Sequence, residues 1–195
     1  MNIGVTGGMG SGKSSVAKAL ALILGCDYVS ADSICRSLLE PGHPGYVQVS
    51  REFPNSFFLS GGEIDRAALR QAIFSDNKLR VKLNGILHPL AREEIRRRCA
   101  SADTCGFDLV AEIPLLFETG WQDDFDITLV VFADAGTCIS RVVARDSVSE
   151  GDALKAYSSQ MSLEEKCNLG NRVIDNSGTF EDTMAALRLF ATELS

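Results

Sequence analysis

The feature that most restricts this chain lies near its start. Gly7-Gly8-Met9-Gly10-Ser11-Gly12-Lys13-Ser14 fits G-x-x-x-x-G-K-[ST] in full. The glycines open backbone dihedrals closed to other residues and let the chain approach an anion closely. Successive N–H groups then converge as an anion nest, and the helix that follows adds the positive end of its dipole. Lys13 supplies a point charge for β- and γ-phosphates, and the Ser14 hydroxyl suits Mg²⁺, a hard cation that prefers oxygen. Such a loop belongs between a strand and a helix, and both are predicted here. Ile3 to Thr6 reads as a buried strand. From Lys13, Val16, Ala17, Leu20, Ile23 and Leu24 recur at helical spacing until Gly25 caps the run. The glycine spacing is not G-x-G-x-x-G, and a lysine stands where a pyrophosphate must approach, so a dinucleotide fold fits poorly.

A second short strand at Tyr28 to Ser30 starts a strand–helix–strand unit with a parallel sheet. Pro41 to Gly62 is punctuated by proline and glycine, with a short helix around Tyr46 to Phe53. Asp65 to Ala100 reads as helix, with Pro89 at a helix start, where its missing donor costs nothing. This excursion precedes strand three, Leu109 to Ile113, and is the candidate inserted substrate domain. Ile127 to Phe132, almost wholly apolar, predicts a central parallel strand. Helix is expected from Ala135 to Arg145, then a polar break from Asp146 to Asp152, then further helix to about Cys167. Val173 to Asp175 reads as a short strand. Phe180 to Leu194 closes the chain as an amphipathic helix with Met184, Leu187 and Phe190 on one face.

Charge narrows the partners. Against 19 Lys and Arg stand 26 Asp and Glu, a net charge of -7 over 195 residues. A nucleic-acid coat binder needs a basic excess, so no nucleic acid is expected as a partner. No run approaches the roughly 18 apolar residues of a membrane span. The opening Met-Asn-Ile-Gly-Val-Thr has no basic flank. The expectation is a cytoplasmic chain with no membrane partner. Cys26, Cys35, Cys99, Cys105, Cys138 and Cys167 form no C-x-x-C pair, and the histidines lie far from them in sequence. Neither a zinc site nor a disulfide framework is expected.

A phosphate loop does not by itself separate a kinase from a switch GTPase or a motor ATPase. The chain has no N-K-x-D tetrapeptide and no D-x-x-G switch directly after strand three, which argues against a GTPase. Asp32 follows strand two, at the sheet edge where doubly wound proteins bind ligands. It either orients a substrate hydroxyl toward the γ-phosphate or caps the following helix. Arg141 and Arg145 lie four apart on one helix face. They either close over phosphates or form a solvated face. A small-molecule kinase, a kinase for a nucleoside monophosphate or other small metabolite, and a non-catalytic nucleotide switch all stay open on these residues.

A longer series then follows in order: Gly4 to Ser14, Asp32, Pro41-Gly42-His43-Pro44, Ile64-Asp65-Arg66, Ile73-Phe74 and Leu87-His88-Pro89. It continues with Ile113-Pro114-Leu115-Leu116-Phe117-Glu118-Thr119, Arg141 to Asp146, Gln160, Lys166 and Val173-Ile174-Asp175-Asn176. Over nearly the whole chain this series resembles the dephospho-coenzyme A kinase family. The Pro-Leu-Leu-Phe-Glu segment and the His-Pro pair are its most specific parts.

The resemblance implies an α/β fold, the three-layer α/β/α P-loop NTPase of the nucleoside monophosphate kinase type, with a parallel sheet, a helical insertion and a lid. Its core would be 1–34 and 107–195, its CoA-binding insertion about 35–106 and its lid about 141–168. The reaction implied is transfer of the γ-phosphoryl of ATP, with Mg²⁺, to the ribose 3′-hydroxyl of dephospho-coenzyme A. Both partners are then small molecules; no oligomeric state is implied. Carried over by position, Asp32, Lys13 and Arg141 are catalytic. Gly8, Met9, Gly10, Ser11, Gly12, Lys13, Ser14 and Ser15, with Arg145 and Asn176, hold ATP, Asn176 near the adenine. Asp32, Arg66, His88 and Glu118 take the acceptor, and Ser14 the metal. His88 has a second reading, as a helix cap. Glu112 either holds a metal-bound water or accepts backbone N–H groups. The chain departs from the family at Ala156, where an arginine is usual, and at Gly170-Asn171, where Ala-Asp is usual. Both departures bear on lid contacts and nucleotide affinity.

Overall fold

Five strands and nine helices follow one another through residues 1–105 and 109–194, the part of the computed structural model described here. The strands are β1 (Asn2–Gly7), β2 (Asp27–Ser30), β3 (Leu109–Glu112), β4 (Ile127–Phe132) and β5 (Arg172–Asp175). The helices are α1 (Lys13–Leu24), α2 (Ala31–Leu38), α3 (Pro44–Glu52), α4 (Arg66–Ser75), α5 (Asn77–Cys105), α6 (Ala135–Asp146), α7 (Glu150–Tyr157), α8 (Leu163–Leu169) and α9 (Phe180–Glu193). The chain divides into two units, Met1–Ser30 with Arg98–Ser195, and Ala31–Arg97. The boundary expected at 106/107 lies outside the described residues.

In the first unit every strand pair is parallel, in the order β2-β3-β1-β4-β5. β1 is the middle strand and is buried along its whole length, which is why its sequence is apolar or small on both faces. Val5 lies opposite Glu112 on one side and Leu129 on the other. α1 and α9 lay Val16, Ala17, Leu20, Leu187 and Phe190 onto Ile3, Val5, Val110, Leu129, Val131 and Ile174. Each large apolar side chain buried this way contributes about 1.5–3 kcal/mol. The amphipathic pattern read for the last helix holds, with Leu187 and Phe190 in that core and Met184 at its margin. A second cluster joins Ala133, Cys138 of α6 and Leu163 of α8, with Phe132 and Tyr157 against it.

The helix expected to continue to Cys167 is two helices. α7 ends at Tyr157, and α8 starts afresh at a capping box, where Ser162 and Glu165 exchange side-chain and backbone hydrogen bonds.

The second unit is helical. Asp65 caps α4, its side chain accepting from the N–H groups of Ala67 and Ala68 at 3.1 and 3.0 Å. Pro89 corrects the sequence reading, since it lies inside α5 rather than at a helix start. An internal proline costs about 3 kcal/mol through a lost hydrogen bond and a ring clash with the preceding turn. Leu83, Ile86, Leu87, Ala91 and Ile95 are nonetheless buried on both sides of it. Their burial at helical spacing outweighs that cost. The helix-start proline is Pro44, at the first turn of α3 behind His43. Among the described residues no helix is long and apolar enough to cross a membrane.

Candidate active site

The phosphate loop leaves the end of β1 and closes on Gly12, which precedes α1 with φ 84°. A side chain there meets two obstacles. The dihedral is left-handed, and a Cβ would run into Asn176 Nδ2. Asn176 follows β5 and is 7% exposed. Its Nδ2 donates to the Ser11 carbonyl at 2.7 Å, and its Oδ1 accepts from Thr183 Oγ1 at 2.8 Å. Its own carbonyl accepts from Arg141 Nη2 at 3.0 Å. The residue expected near adenine is thus committed to the underside of the phosphate loop.

On the other flank, Glu112 ends β3 and is 4% exposed. Its carboxylate accepts from Ser14 Oγ and from the Tyr28 hydroxyl, each at 2.5 Å. Of the two readings of Glu112, neither names these donors: the hydrogen bonds come from hydroxyls. Ser14 Oγ and the Glu112 carboxylate form an oxygen donor pair at the start of α1, which suits a hard cation. Lys13 Nζ reaches back to the Gly8 carbonyl at 3.4 Å, and Ser11 N–H donates to the same oxygen at 3.3 Å. Ser15 N–H donates to the Gly12 carbonyl at 3.0 Å.

Among the described residues, two buried polar atoms at this loop find no hydrogen-bond partner, Ser11 Oγ and Arg141 Nη1. The second lies beside Gly12. Leaving a buried donor unpaired costs about 1–3 kcal/mol, more when it is charged. An anionic group in the loop would relieve that cost. Arg145 goes elsewhere. It forks onto Asp146 at 2.8 and 2.7 Å with its side chain 63% exposed, and that hydrogen bond raises its pKa. The two arginines share a helix, but Arg141 is the one seated at the loop.

Glu118 is engaged within the first unit. Lys166 of α8, fully buried, reaches its Oε1 at 2.9 Å and its Oε2 at 3.1 Å. The same ammonium donates to the Pro114 carbonyl at 2.8 Å.

The second unit carries the remaining candidates. Asp32 is exposed in the first turn of α2, as the second residue of that helix. A carboxylate in a first turn favours the helix dipole. Burial first, and the Asp32 carboxylate second, push the Cys35 thiol up to about 11. His88 sits well inside α5, so it is not a helix cap, and burial lowers its pKa. Arg66 opens α4 and donates to the Arg36 carbonyl at 3.1 Å. With Arg70 and Phe74 it lines a cavity of about 560 Å³.

The family model for Dephospho-CoA kinase matches residues 1–182. This chain belongs to the dephospho-CoA kinase family. The Dephospho-CoA kinase of Desulfotalea psychrophila is 39% identical over 193 residues, covering 99% of this chain and 97% of that one. That of Carboxydothermus hydrogenoformans is 40% identical over 182 residues, covering 93% of this chain and 88% of its own. A crystal structure from Thermus thermophilus is 33% identical, with a TM-score of 0.80 over 100% of this chain and 98% of that chain. A shikimate kinase from Aquifex aeolicus, at 11% identity, shares the fold with a TM-score of 0.58 over 99% of this chain and 96% of its own. The parallel sheet with its flanking helices is thus the α/β fold of P-loop kinases.

Gly170 and Asn171, standing where the resemblance leads to Ala-Asp, each have a local fit. A Cβ on Gly170 would sit 2.5 Å from Val130 Cγ2. Asn171 Oδ1 accepts from both the backbone N–H and the hydroxyl of Thr128 at 2.8 Å, clipping β5 to β4. Nothing in the structure explains Ala156. Sequence reading also missed that Gln160 reaches the loop. Its Oε1 accepts from Met9 N–H at 3.2 Å. Its place in the family order was a signal, but nothing in the spacing shows its partner.

Proposed function

We propose that this chain transfers the γ-phosphoryl of ATP to the ribose 3′-hydroxyl of dephospho-CoA, giving ADP and CoA, the last step of CoA synthesis. The observation that carries the reading is the family match over residues 1–182. The loop supports its ATP end through Lys13, the unpartnered Arg141 Nη1 and the α1 amino terminus. In a loose phosphoryl transition state charge spreads over the equatorial oxygens, and catalysis is mostly positioning and charge stabilisation. Lys13 and Arg141 offset that charge. Gly8 to Ser15 hold the phosphates, with Asn176 bracing the loop from behind. Arg145 contributes to ATP binding only if it leaves Asp146.

Ser14, with Glu112 behind it, would hold Mg²⁺, which adds positive charge at the phosphates when bound. Asp32 orients the 3′-hydroxyl. The hydroxyl oxygen bonds to the γ-phosphorus, the bond from that phosphorus to the β-phosphate oxygen breaks, and the hydroxyl proton passes to solvent by way of Asp32. Arg66 and His88 contribute to the acceptor site, and Glu118 serves it from its pairing with Lys166. Residues about 35–106 form the acceptor-binding insertion, and about 141–168 the lid. The enzyme works in the cytoplasm on these two small molecules.

The test is CoA formation from purified protein, ATP, Mg²⁺ and dephospho-CoA, run beside a panel of nucleoside monophosphates. CoA formation supports the reading. Phosphorylation of a nucleoside monophosphate with dephospho-CoA ignored overturns it.

A further inference from the structure

The mouth of the phosphate loop, Gly7-Gly8, is bracketed by a circuit of polar contacts that includes Glu118, assigned above to the acceptor, but whose Gln160 and Lys166 have no role in the transfer step. On the strand side, Thr6 Oγ1 donates to the Pro114 carbonyl at 3.3 Å. That carbonyl also accepts from Lys166 Nζ at 2.8 Å, and Lys166 in turn holds Glu118 at 2.9 Å. Glu118 Oε1 accepts from Met161 N–H at 3.3 Å. The neighbouring residue, Gln160, accepts from Met9 N–H at 3.2 Å and so returns to the loop. Leu163 of α8 packs on the same mouth, where a Cβ on Gly8 would press its Cγ at 3.1 Å.

Lys166 is 0% exposed. An ammonium taken out of water loses several kcal/mol of hydration, and a well-packed apolar side chain would serve stability as well or better. Its use here is therefore geometric. It fixes two oxygens, Pro114 O and Glu118 Oε1, and through them both edges of the loop mouth. Met161 N–H is anchored to the second of these, so the adjacent Gln160 side chain is delivered at a set height above Met9.

We infer that Gln160 is a positioning residue for ATP, carried by the buried Lys166–Glu118 pair, and that it holds the Met9 amide in the orientation the phosphate loop needs. The inference rests on the ATP site proposed above. Gln160 acts through the backbone of the loop.

The experiment compares the intact chain with Gln160→Met, which keeps the length and loses the acceptor oxygen. It also uses the double variant Glu118→Gln/Lys166→Met, which removes both charges at near-constant shape, and the triple combination. The readouts are the Met9 amide resonance by ¹⁵N NMR, Kd for ATP by titration, KM for ATP and for dephospho-CoA, and Tm. In Gln160→Met the Met9 resonance moves and ATP Kd and KM rise about fivefold to tenfold, the weight of one hydrogen bond. The KM for dephospho-CoA stays within twofold and Tm changes little. The double variant shows the same ATP defect, and the triple is no worse than either, because members of one network do not add. An unmoved Met9 resonance, an ATP Kd within twofold, or defects that multiply in the triple variant would overturn the inference. Should the double variant not fold, the Gln160→Met resonance and Kd decide. If the intact chain makes no CoA, the proposed reaction falls, while the Met9 resonance and ATP Kd still judge this inference.

Discussion

Asn176 Nδ2 donates to the Ser11 carbonyl at 2.7 Å, joining positions 165 apart in sequence. The bond fixes the back of the phosphate loop to the end of β5, and Thr183 holds the carboxamide from behind. The preorganisation of the loop is therefore a property of the folded sheet.

Asn176→Ala removes both side-chain bonds and leaves the Ser11 carbonyl and Thr183 hydroxyl buried without it. The expected cost is about 1–3 kcal/mol. It divides between a lower Tm and an ATP KM raised roughly tenfold. Calorimetry with steady-state kinetics measures both; an unchanged ATP KM would separate Asn176 from nucleotide binding.

Asp32→Asn keeps the shape of the side chain and removes its charge. Turnover is expected to fall roughly a hundredfold or more while ATP affinity stays within a few-fold, the signature of a lost transition-state interaction. An equal loss in kcat and ATP affinity would place Asp32 outside the transfer step.

Arg141→Ala is expected to lower kcat/KM for ATP by about a hundredfold, because its unpartnered Nη1 stands at the loop. Arg145→Ala costs at most a few-fold, since its guanidinium is spent on Asp146 in solvent. Parallel kinetics of the two variants check this. A larger loss at Arg145 would mean that it swings to the nucleotide during turnover.

His88 gives a pH dependence. Burial lowers its folded pKa below the ordinary value of 6.5. Above about pH 6.5 the ring is neutral in both states and the full stability is present. As pH falls, the unfolded chain takes up the proton first, and stability drops until the folded pKa is passed. Tm measured between about pH 7 and 5 should therefore fall further in the native sequence than in His88→Gln. Parallel curves would show that His88 is not the group responsible.

What the sequence made legible were contacts local along the chain. Gly7 to Ser14 needed only a strand before it and a helix after it, and both formed, with Gly25 closing α1 as expected. β4 matched residue for residue because both of its faces are buried. Pro89 misled, since a local rule places proline at a helix start while burial of Leu83, Leu87 and Ile95 around it is a tertiary effect. The break at Ser162 was written as a capping box, S-x-x-E, and was readable there. The pairings of Glu112 with Ser14 and Tyr28, and of Lys166 with Glu118, link residues 98, 84 and 48 apart. No periodicity encodes such separations. For Glu112 the sheet order does, by placing β3 between β1 and β2.

The fit between Gly170 and Val130 reaches beyond this one molecule. Two positions separated along the chain share a space too small for both to carry bulk. A lineage that trades the glycine for alanine has to make room at Val130, by a slimmer residue or a shifted strand, so the pair is expected to change in tandem among descendants.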